Sequence, residues 1–216
     1  MPSLVGSEMC IRDRADADAA NVRAYVQGGG HLVTGFYSGI VDEHEHVGLG
    51  GYPAALRDVL GLWVEEWLPL APGTVTPVQL GTASQPVEAT TWAEVVHVDG
   101  AEVLGTFTHG AYGLARGGPA VTAHASGAGR ATYIATHLPE DALRDVLRGA
   151  LTAAGVPHVT LPVHADVTLC THPDGPLLHV LNAHGREELT VRVDGAADLA
   201  GAVSYTHLRA HETRHD

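Results

Sequence analysis

The chain contains no lysine, and this absence limits the partners that it can bind. All 12 basic residues of the 216-residue sequence are therefore arginines, and with 25 acidic residues the formal net charge is −13. A surface of that sign repels a phosphate backbone, and no arginine cluster interrupts it. We therefore expect no nucleic-acid partner.

Long apolar runs are also missing. No run reaches 18 apolar residues, so we expect no membrane partner. The N-terminus lacks the charged-then-apolar pattern of a secretory signal, which predicts a cytoplasmic protein. The two cysteines, Cys10 and Cys170, are too few for a disulfide framework, and neither lies in a CxxC pair.

The stretch of the sequence with the most distinctive pattern runs from Phe36 to Leu70. His31 to Tyr37 is a β-rich run after three glycines, and Tyr52 to Leu62 has apolar residues at helical spacing after Pro53. A second apolar strand follows. The acidic, glycine-punctuated loop between the first strand and the helix lies where α/β sheets place their functional loops.

This stretch also carries a family resemblance. Residues 38–70, SGIVDEHEHVGLGGYPAALRDVLGLWVEEWLPL, resemble the middle domain of glycoside hydrolase family 42 β-galactosidases, whose pattern runs roughly SGIVDE, LGGYP, LRDxLGI and EExxPL. The resemblance covers most of residues 20 to 156, and it continues through four later segments: Trp92–Glu94, His97–Leu104, Gly118–Thr122 and Gly129–Thr136.

The resemblance implies a fold, an activity and an assembly. The fold is α/β, a three-layer flavodoxin-like or class I glutamine-amidotransferase-like domain. The intact enzyme is a homotrimeric glycosidase that hydrolyses terminal non-reducing β-D-galactose residues in β-galactosides with retention. In this family the two catalytic glutamates lie on a barrel that precedes the matched region. We therefore predict that the chain alone is inactive and has no catalytic residues. The alternative is a free-standing carbohydrate-binding or amidotransferase-like module without catalysis.

The chain divides into four parts at the level of sequence. Residues 1–14 and 203–216 resemble translations of a sequencing adapter and are predicted to be foreign tails, which leaves a gene fragment that is open at both ends. The resemblance implies that residues 15–156 form the trimerisation domain. Residues 157–202 are predicted to begin the family's C-terminal β domain, with short strands at Val167–Cys170, Leu177–Leu181 and Glu188–Val193.

Local patterns predict the main elements of the central part. Helices are expected at Ala17–Gln27 and Pro139–Ala154, and the alternation of helix and strand predicts a parallel sheet. Asp99-Gly100 signals a hairpin between Trp92–Val98 and Glu102–Phe107. Val78–Leu80 reads as a strand at the sheet edge, and a further strand pair is expected around Ser126–Gly129.

The sequence contains several residue groups that could suggest a metal, cofactor or catalytic site, but their spacing or context argues against each one. Asp42 to His46 lacks the HExxH spacing of a zinc site, so we predict no metal. The glycines at 48, 50 and 51 lack the spacing of a dinucleotide site, so we predict no cofactor. Cys170 is expected in the core of the β unit. The loop and strand carboxylates are interpreted as solvated charges rather than catalytic groups: Glu43, Glu45, Glu65 and Glu66.

What remains is a candidate subunit interface or pocket rim. Aromatic residues are enriched as interface anchors, and an acidic loop rich in glycine is costly to order without a neighbouring surface. Trp63 and Trp67 lie four apart on a strand and are expected on the same side, either in an interface or in the core. The candidate residues are Tyr37, Asp42, Glu43, His44, Tyr52, Trp63 and Trp67.

Overall fold

The computed structural model describes residues 16–42, 44, 46–47, 51–81, 83–109 and 116–156, together with the backbone of two strands at 166–172 and 175–181. The chain divides into two compact units between Ala154 and Gly155. Both predicted foreign tails and the predicted strand Glu188–Val193 lie outside the described residues.

The first unit begins with helix α1 (Asp16–Gln27) and strand β1 (His31–Gly35). After the acidic loop come a 3-10 turn (Ala54–Leu56) and a one-turn helix, α2 (Arg57–Leu60). The remaining elements are β2 (Leu62–Pro69), β3 (Thr76–Leu80), β4 (Val87–Val98), β5 (Glu102–Phe107), β6 (Pro119–Ser126), β7 (Gly129–Ile134), β8 (Thr136–His137) and helix α3 (Glu140–Ala153).

Both long helices are confirmed, whereas the helix expected over Tyr52–Leu62 is shorter. It ends at Leu60 because Gly61 has φ 61° and its N–H bonds the Arg57 carbonyl, which closes the last turn. The chain then enters β2 at Leu62.

The sheet is mixed, with strand order β1-β7-β6-β5-β3-β4-β2 and with β8 paired to β4. Within the described residues only β1 and β7 pair in parallel, with His31 opposite Arg130. The expected parallel sheet is therefore wrong. Two parallel neighbouring strands need a long crossover connection, whereas a short turn such as Ser126–Gly129 makes the next strand antiparallel. The strand pair expected around this turn, β6 with β7, is confirmed.

Strand β3 corrects two further expectations. It lies between β5 and β4, so it is not at the sheet edge, and the predicted hairpin of β4 with β5 does not form. The Asp99-Gly100 turn exists, but its flanking amides of Asp99 and Ala101 both donate to the carbonyl of Gly61, at 2.6 and 3.1 Å. The turn is thus held by the start of β2.

Helices cover both faces of the β1–β7 pair. On one face Val26 of α1 and Tyr133 of β7 belong to a single core cluster, against which Leu32 packs. On the other face Ile134 joins the cluster that receives Val33 and the α3 residues around Ala142. Adjacent residues of each strand therefore serve opposite cores, as a period of two requires. Each fully buried large side chain contributes about 1.5–3 kcal/mol.

The second unit contains an antiparallel pair, β9 (Asp166–His172) and β10 (Gly175–Leu181), with His172 opposite Gly175. Two of the strands predicted in this region fall within these bounds. Among the residues that the structure describes, none of the helices combines the length and apolar character needed to cross a membrane.

Candidate functional site

Five aromatic side chains gather beyond the end of β1, and we name them the aromatic face: Phe36, Tyr37, Tyr52, Trp67 and Trp92. Tyr37 lies at the centre, with ring centroids 4.6 Å from Trp92 and 5.7 Å from Trp67. Tyr52 extends the group, at 4.3 Å from Trp67. Such pairs add about 0.5–1.5 kcal/mol each beyond the burial of their area.

Tyr37 is the most solvent-exposed part of this face, at 44%. Its backbone has φ 67°, a left-handed conformation that is uncommon for a residue with a side chain. The turn is secured by the next residue, since the Ser38 hydroxyl donates to the Gly35 carbonyl at 2.7 Å and lies 2.6 Å from the Thr34 hydroxyl. The chain thus holds a large ring outward at a position that glycine would occupy more easily.

A buried carboxylate lies beneath the aromatic face. Glu94 of β4 is 1% exposed, and its Oε2 accepts a hydrogen bond from the Tyr133 hydroxyl at 2.6 Å. Its Oε1 accepts from the Trp92 indole N–H at 3.3 Å. Burial raises the pKa of Glu94 to about 7, and hydrogen bonds from Tyr133, Trp92 and the Tyr37 backbone N–H oppose the rise.

Glu94 was not among the predicted site residues, although the sequence of β4 carries a signal for it. Trp92, Glu94 and Val96 alternate along β4, so they point to one side of the strand, and Val96 is in the core. A glutamate in the middle of an inward-facing series is rarely buried without hydrogen-bond partners. That pattern could have identified both Glu94 and Trp92.

The described residues of the acidic loop, Asp42, His44 and His46, form hydrogen bonds with one another. Asp42 Oδ1 accepts from the backbone N–H groups of His44 and His46, each at 2.8 Å, and the Asp42 N–H donates to the His46 carbonyl at 2.9 Å. These bonds, the one from His46 first, lower the pKa of Asp42. This segment of the loop therefore has internal hydrogen bonds, whereas we expected a neighbouring surface to hold it. Glu43, a further candidate, lies outside the described residues.

We predict that Asp42→Ala opens this loop while Asp42→Asn leaves it closed. Alanine removes the acceptor for two N–H groups, whereas the asparagine oxygen can still accept them. Amide hydrogen exchange at His44 and His46 should speed up roughly tenfold in Asp42→Ala. Because the pKa of Asp42 is lowered, the wild-type protection should persist above pH 3.8 and be lost only below it. Equal exchange rates in the three proteins would show that Asp42 does not order the loop.

Trp63 and Trp67 point to opposite sides of β2, so the expectation that they share a side is wrong. Val64 pairs with Val96 and Glu66 with Val95, which leaves one extra residue, Glu65, as a bulge. A bulge shifts the alternation by one position. Trp67 therefore joins the aromatic face.

Trp63, by contrast, stacks on His97, with centroids 4.2 Å apart. The His97 ring is also 2.6 Å from Glu65. Among the described residues no group of three or more histidine, cysteine or acidic side chains could hold a metal. The side chain of Cys170 and the glycines at 48 and 50 lie outside the described residues.

Comparison with known proteins decides the family. A protein-family model described as the beta-galactosidase trimerisation domain matches residues 14–157. The chain belongs to this family of β-galactosidase trimerisation domains. Expected from residues 38–70, this membership is confirmed.

The curated relatives of this trimerisation domain are much longer than the chain. It is 41% identical to Beta-galactosidase LacZ of Heyndrickxia coagulans over 165 residues, which cover 76% of the chain and 24% of the relative. It is 38% identical to a Beta-galactosidase of Arthrobacter sp over 188 residues, or 86% of the chain and 26% of the relative. The chain thus spans about a quarter of the length of these proteins.

Solved structures agree on the fold of the trimerisation domain. The crystal structure of beta-galactosidase from Bacillus circulans sp. alkalophilus matches with a TM-score of 0.74 and 32% identity, over 83% of the chain and 27% of that protein. The beta-galactosidase of Rahnella sp. R3 matches with a TM-score of 0.68 and 29% identity, over 74% and 24%. A mixed sheet with few helices is therefore shared with these β-galactosidases.

Proposed function

We propose that the chain is the assembly part of a β-galactosidase, a retaining glycosidase that releases terminal non-reducing β-D-galactose from β-galactosides as a homotrimer. The observation that carries this proposal is the match to the trimerisation family over residues 14–157 by a chain that spans about a quarter of its β-galactosidase relatives. The galactoside substrate and the trimeric partner belong to the intact protein.

Within this function the aromatic face is proposed as a subunit contact or pocket rim, together with the loop of Asp42, Glu43 and His44. The exposed ring of Tyr37, which packs on partly buried rings, supports this proposal. Rigid aromatic side chains are the preferred anchors of protein interfaces. Trp63 lies on the opposite side of β2, so in this proposal it belongs to a separate surface with His97.

The finer architecture is also a proposal. A helix on each face of the parallel β1–β7 pair supports a three-layer, flavodoxin-like or amidotransferase-like domain over residues 15–156. The β9–β10 pair supports a partial C-terminal β domain over residues 157–202. The foreign nature of residues 1–14 and 203–216, and a cytoplasmic location, stay predictions.

A second candidate is a free-standing carbohydrate-binding module, and one observation favours it. An exposed tyrosine ring backed by two tryptophans, Trp67 and Trp92, is the kind of apolar platform on which a sugar ring can stack. Titration of the 216-residue chain with galactose, followed by tryptophan fluorescence, separates the two candidates. A saturable change that Tyr37→Asn abolishes would favour the module.

The contact proposal predicts that Tyr37→Asn weakens assembly of the intact protein. Asparagine tolerates the left-handed backbone of residue 37 but lacks the ring, so the fold should survive while an anchor is lost. Loss of a central aromatic anchor costs 2 kcal/mol or more at a hot spot, roughly thirtyfold in affinity. Sedimentation velocity of the intact protein at decreasing concentrations measures this shift from trimer to smaller species.

Tyr25→Asn is the matched control for that experiment. Tyr25 is a comparably exposed tyrosine, at 51%, but it lies on α1 away from the aromatic face. The control should sediment like the unmodified protein. Identical sedimentation of Tyr37→Asn, Tyr25→Asn and the unmodified protein would exclude the aromatic face from the trimer contact.

A further inference from the structure

The buried carboxylate beneath the aromatic face has an unusual set of neighbours. Three hydrogen-bond donors from three segments converge on Glu94: the Tyr133 hydroxyl, the Trp92 indole N–H and, more weakly, the Tyr37 backbone N–H. Tyr133, on β7, is the titratable group that faces it, and Trp67 is its cross-strand neighbour on β2. Within the described part of the chain no ion pair involves Glu94.

All three neighbours donate, so they match an ionised carboxylate better than a protonated one. A carboxylate only accepts hydrogen bonds, whereas the protonated acid carries an O–H that itself needs an acceptor. Protonation would turn the Tyr133 hydroxyl from donor to acceptor, and it would remove the negative charge that strengthens the hydrogen bonds donated by the N–H groups of Trp92 and Tyr37. Two of those donors belong to residues of the aromatic face, Trp92 and Tyr37.

Tyr37 has the greatest need of such support. Its left-handed backbone is strained and persists only where surrounding contacts hold it. The Tyr37 backbone N–H favours the ionised form of Glu94, and the Tyr37 ring lies between the Trp92 and Trp67 rings. The carboxylate of Glu94 thus holds the indole of Trp92, and the Tyr37 ring packs on that indole.

We infer that Glu94 is a positioning residue whose ionised carboxylate holds Tyr37 and Trp92 in the aromatic face, and that loss of its charge releases them. Any effect of Glu94 on assembly rests on the proposed function of the aromatic face. The positioning of Tyr37 and Trp92 by Glu94 does not depend on that function. Its consequence is an aromatic face that changes conformation near neutral pH.

The Glu94 carboxylate also lowers the stability of the folded chain when it is ionised. The ordinary pKa of 4.5 is raised to about 7 in the folded chain, so the folded state binds the proton more tightly than the unfolded state does. Stability therefore falls as the pH rises from 4.5 to about 7 and is constant above that, as far as Glu94 is concerned. Because the pKa of Glu94 rises from 4.5 to about 7, its ionisation increases the unfolding equilibrium constant by roughly 300-fold above pH 7. Such a cost to stability is common where a group serves function.

The test follows the aromatic face by tryptophan fluorescence and near-ultraviolet circular dichroism of the 216-residue chain between pH 5 and 9. Histidines change charge in this range, and His97 stacks on one of the three tryptophans, so every protein carries Trp63→Phe. The remaining tryptophans, Trp67 and Trp92, both lie in the aromatic face. We expect a transition with a midpoint near 7 in this background.

Glu94→Gln should abolish that transition, since glutamine cannot ionise. Glu88→Gln is the matched control, the same substitution at an exposed position of the same strand, and it should keep the transition. A transition that survives in Glu94→Gln would overturn the inference. Should Glu94→Gln not fold, the unmodified chain still decides: the ¹³C shift of the Glu94 carboxyl and the ¹⁵N shift of the Tyr37 amide must titrate with one midpoint. A Tyr37 amide that ignores the Glu94 titration would overturn the inference equally.

The outcome is separable from that of the assembly experiment. If Tyr37→Asn leaves the trimer intact while the aromatic transition depends on Glu94, the contact assignment is wrong and the positioning role stands. If the transition persists without Glu94, the positioning role is wrong whatever the trimer does.

Discussion

Gly129→Ala should destabilise the chain by about 3 kcal/mol or more, a large part of the 5–15 kcal/mol typical of a folded domain. A Cβ at this position would overlap the carbonyl oxygens of Val26 and Gly30, and both are backbone atoms that cannot turn aside. Gly129 begins β7, and Arg130 next to it pairs with His31 of β1. The substitution would therefore push the end of α1 away from the only parallel strand pair among the described residues. Urea unfolding followed by circular dichroism measures the loss.

Gly149→Ala provides the control for this prediction. Gly149 lies within α3, and a Cβ built there meets nothing within 4 Å. Replacing a helical glycine in open space by alanine should stabilise the chain by about 0.5–1 kcal/mol. The same chemical change is thus expected to have opposite signs at two positions. Equal unfolding midpoints for the two variants would contradict the close approach of α1 and β7.

The 216-residue chain should show no hydrolysis of a nitrophenyl β-galactoside above the buffer control. A retaining glycosidase needs two accessible carboxyl groups about 5–5.5 Å apart, and one of them must stay protonated near neutral pH. Among the described residues Glu94 is the one carboxyl group whose pKa is raised. It is enclosed by Tyr133 and Trp92 and 1% exposed, so a sugar cannot reach it.

Because glycosidases accelerate hydrolysis by many orders of magnitude, even a poor active site would be visible in this assay. The measurement uses chain purified to homogeneity, with Glu94→Gln assayed beside it. Both proteins should match the buffer. Activity that co-purifies with the chain and is lost on substitution of one of its carboxylates would show that the chain has an active site of its own.

Elements governed by local rules could be predicted from the sequence, and elements governed by pairing could not. The helix α3 follows from leucine and valine spacing and from Gly155 after its last residues, and the β6–β7 turn from its small residues. The order of the strands in the sheet depends instead on which strands pair with each other over long distances in sequence. The Asp99-Gly100 signal is a true turn, but β3 arrives between the two strands that the turn would otherwise join.

The candidate site shows the same division. Tyr37, Tyr52 and Trp67 were identified from composition and resemblance, and the structure brings them together. Trp63 was grouped with them because a regular strand has a period of two, and a single bulged residue, Glu65, removes that regularity. No local pattern marks such a bulge, since its cause is the pairing of β2 with β4.

The parallel pairing of β1 with β7 sets the order of events when the chain is synthesised. His31 must wait for Arg130, so about 100 residues leave the ribosome before the first strand has its partner. At a synthesis rate of roughly 5–20 residues per second this takes about 5–20 seconds. During that time α1 and β1 carry apolar side chains, among them Val26 and Leu32, that have no sheet to cover them. Helix α1 and strand β1 thus stay uncovered for longer than β6, whose partner β7 follows it directly in the chain.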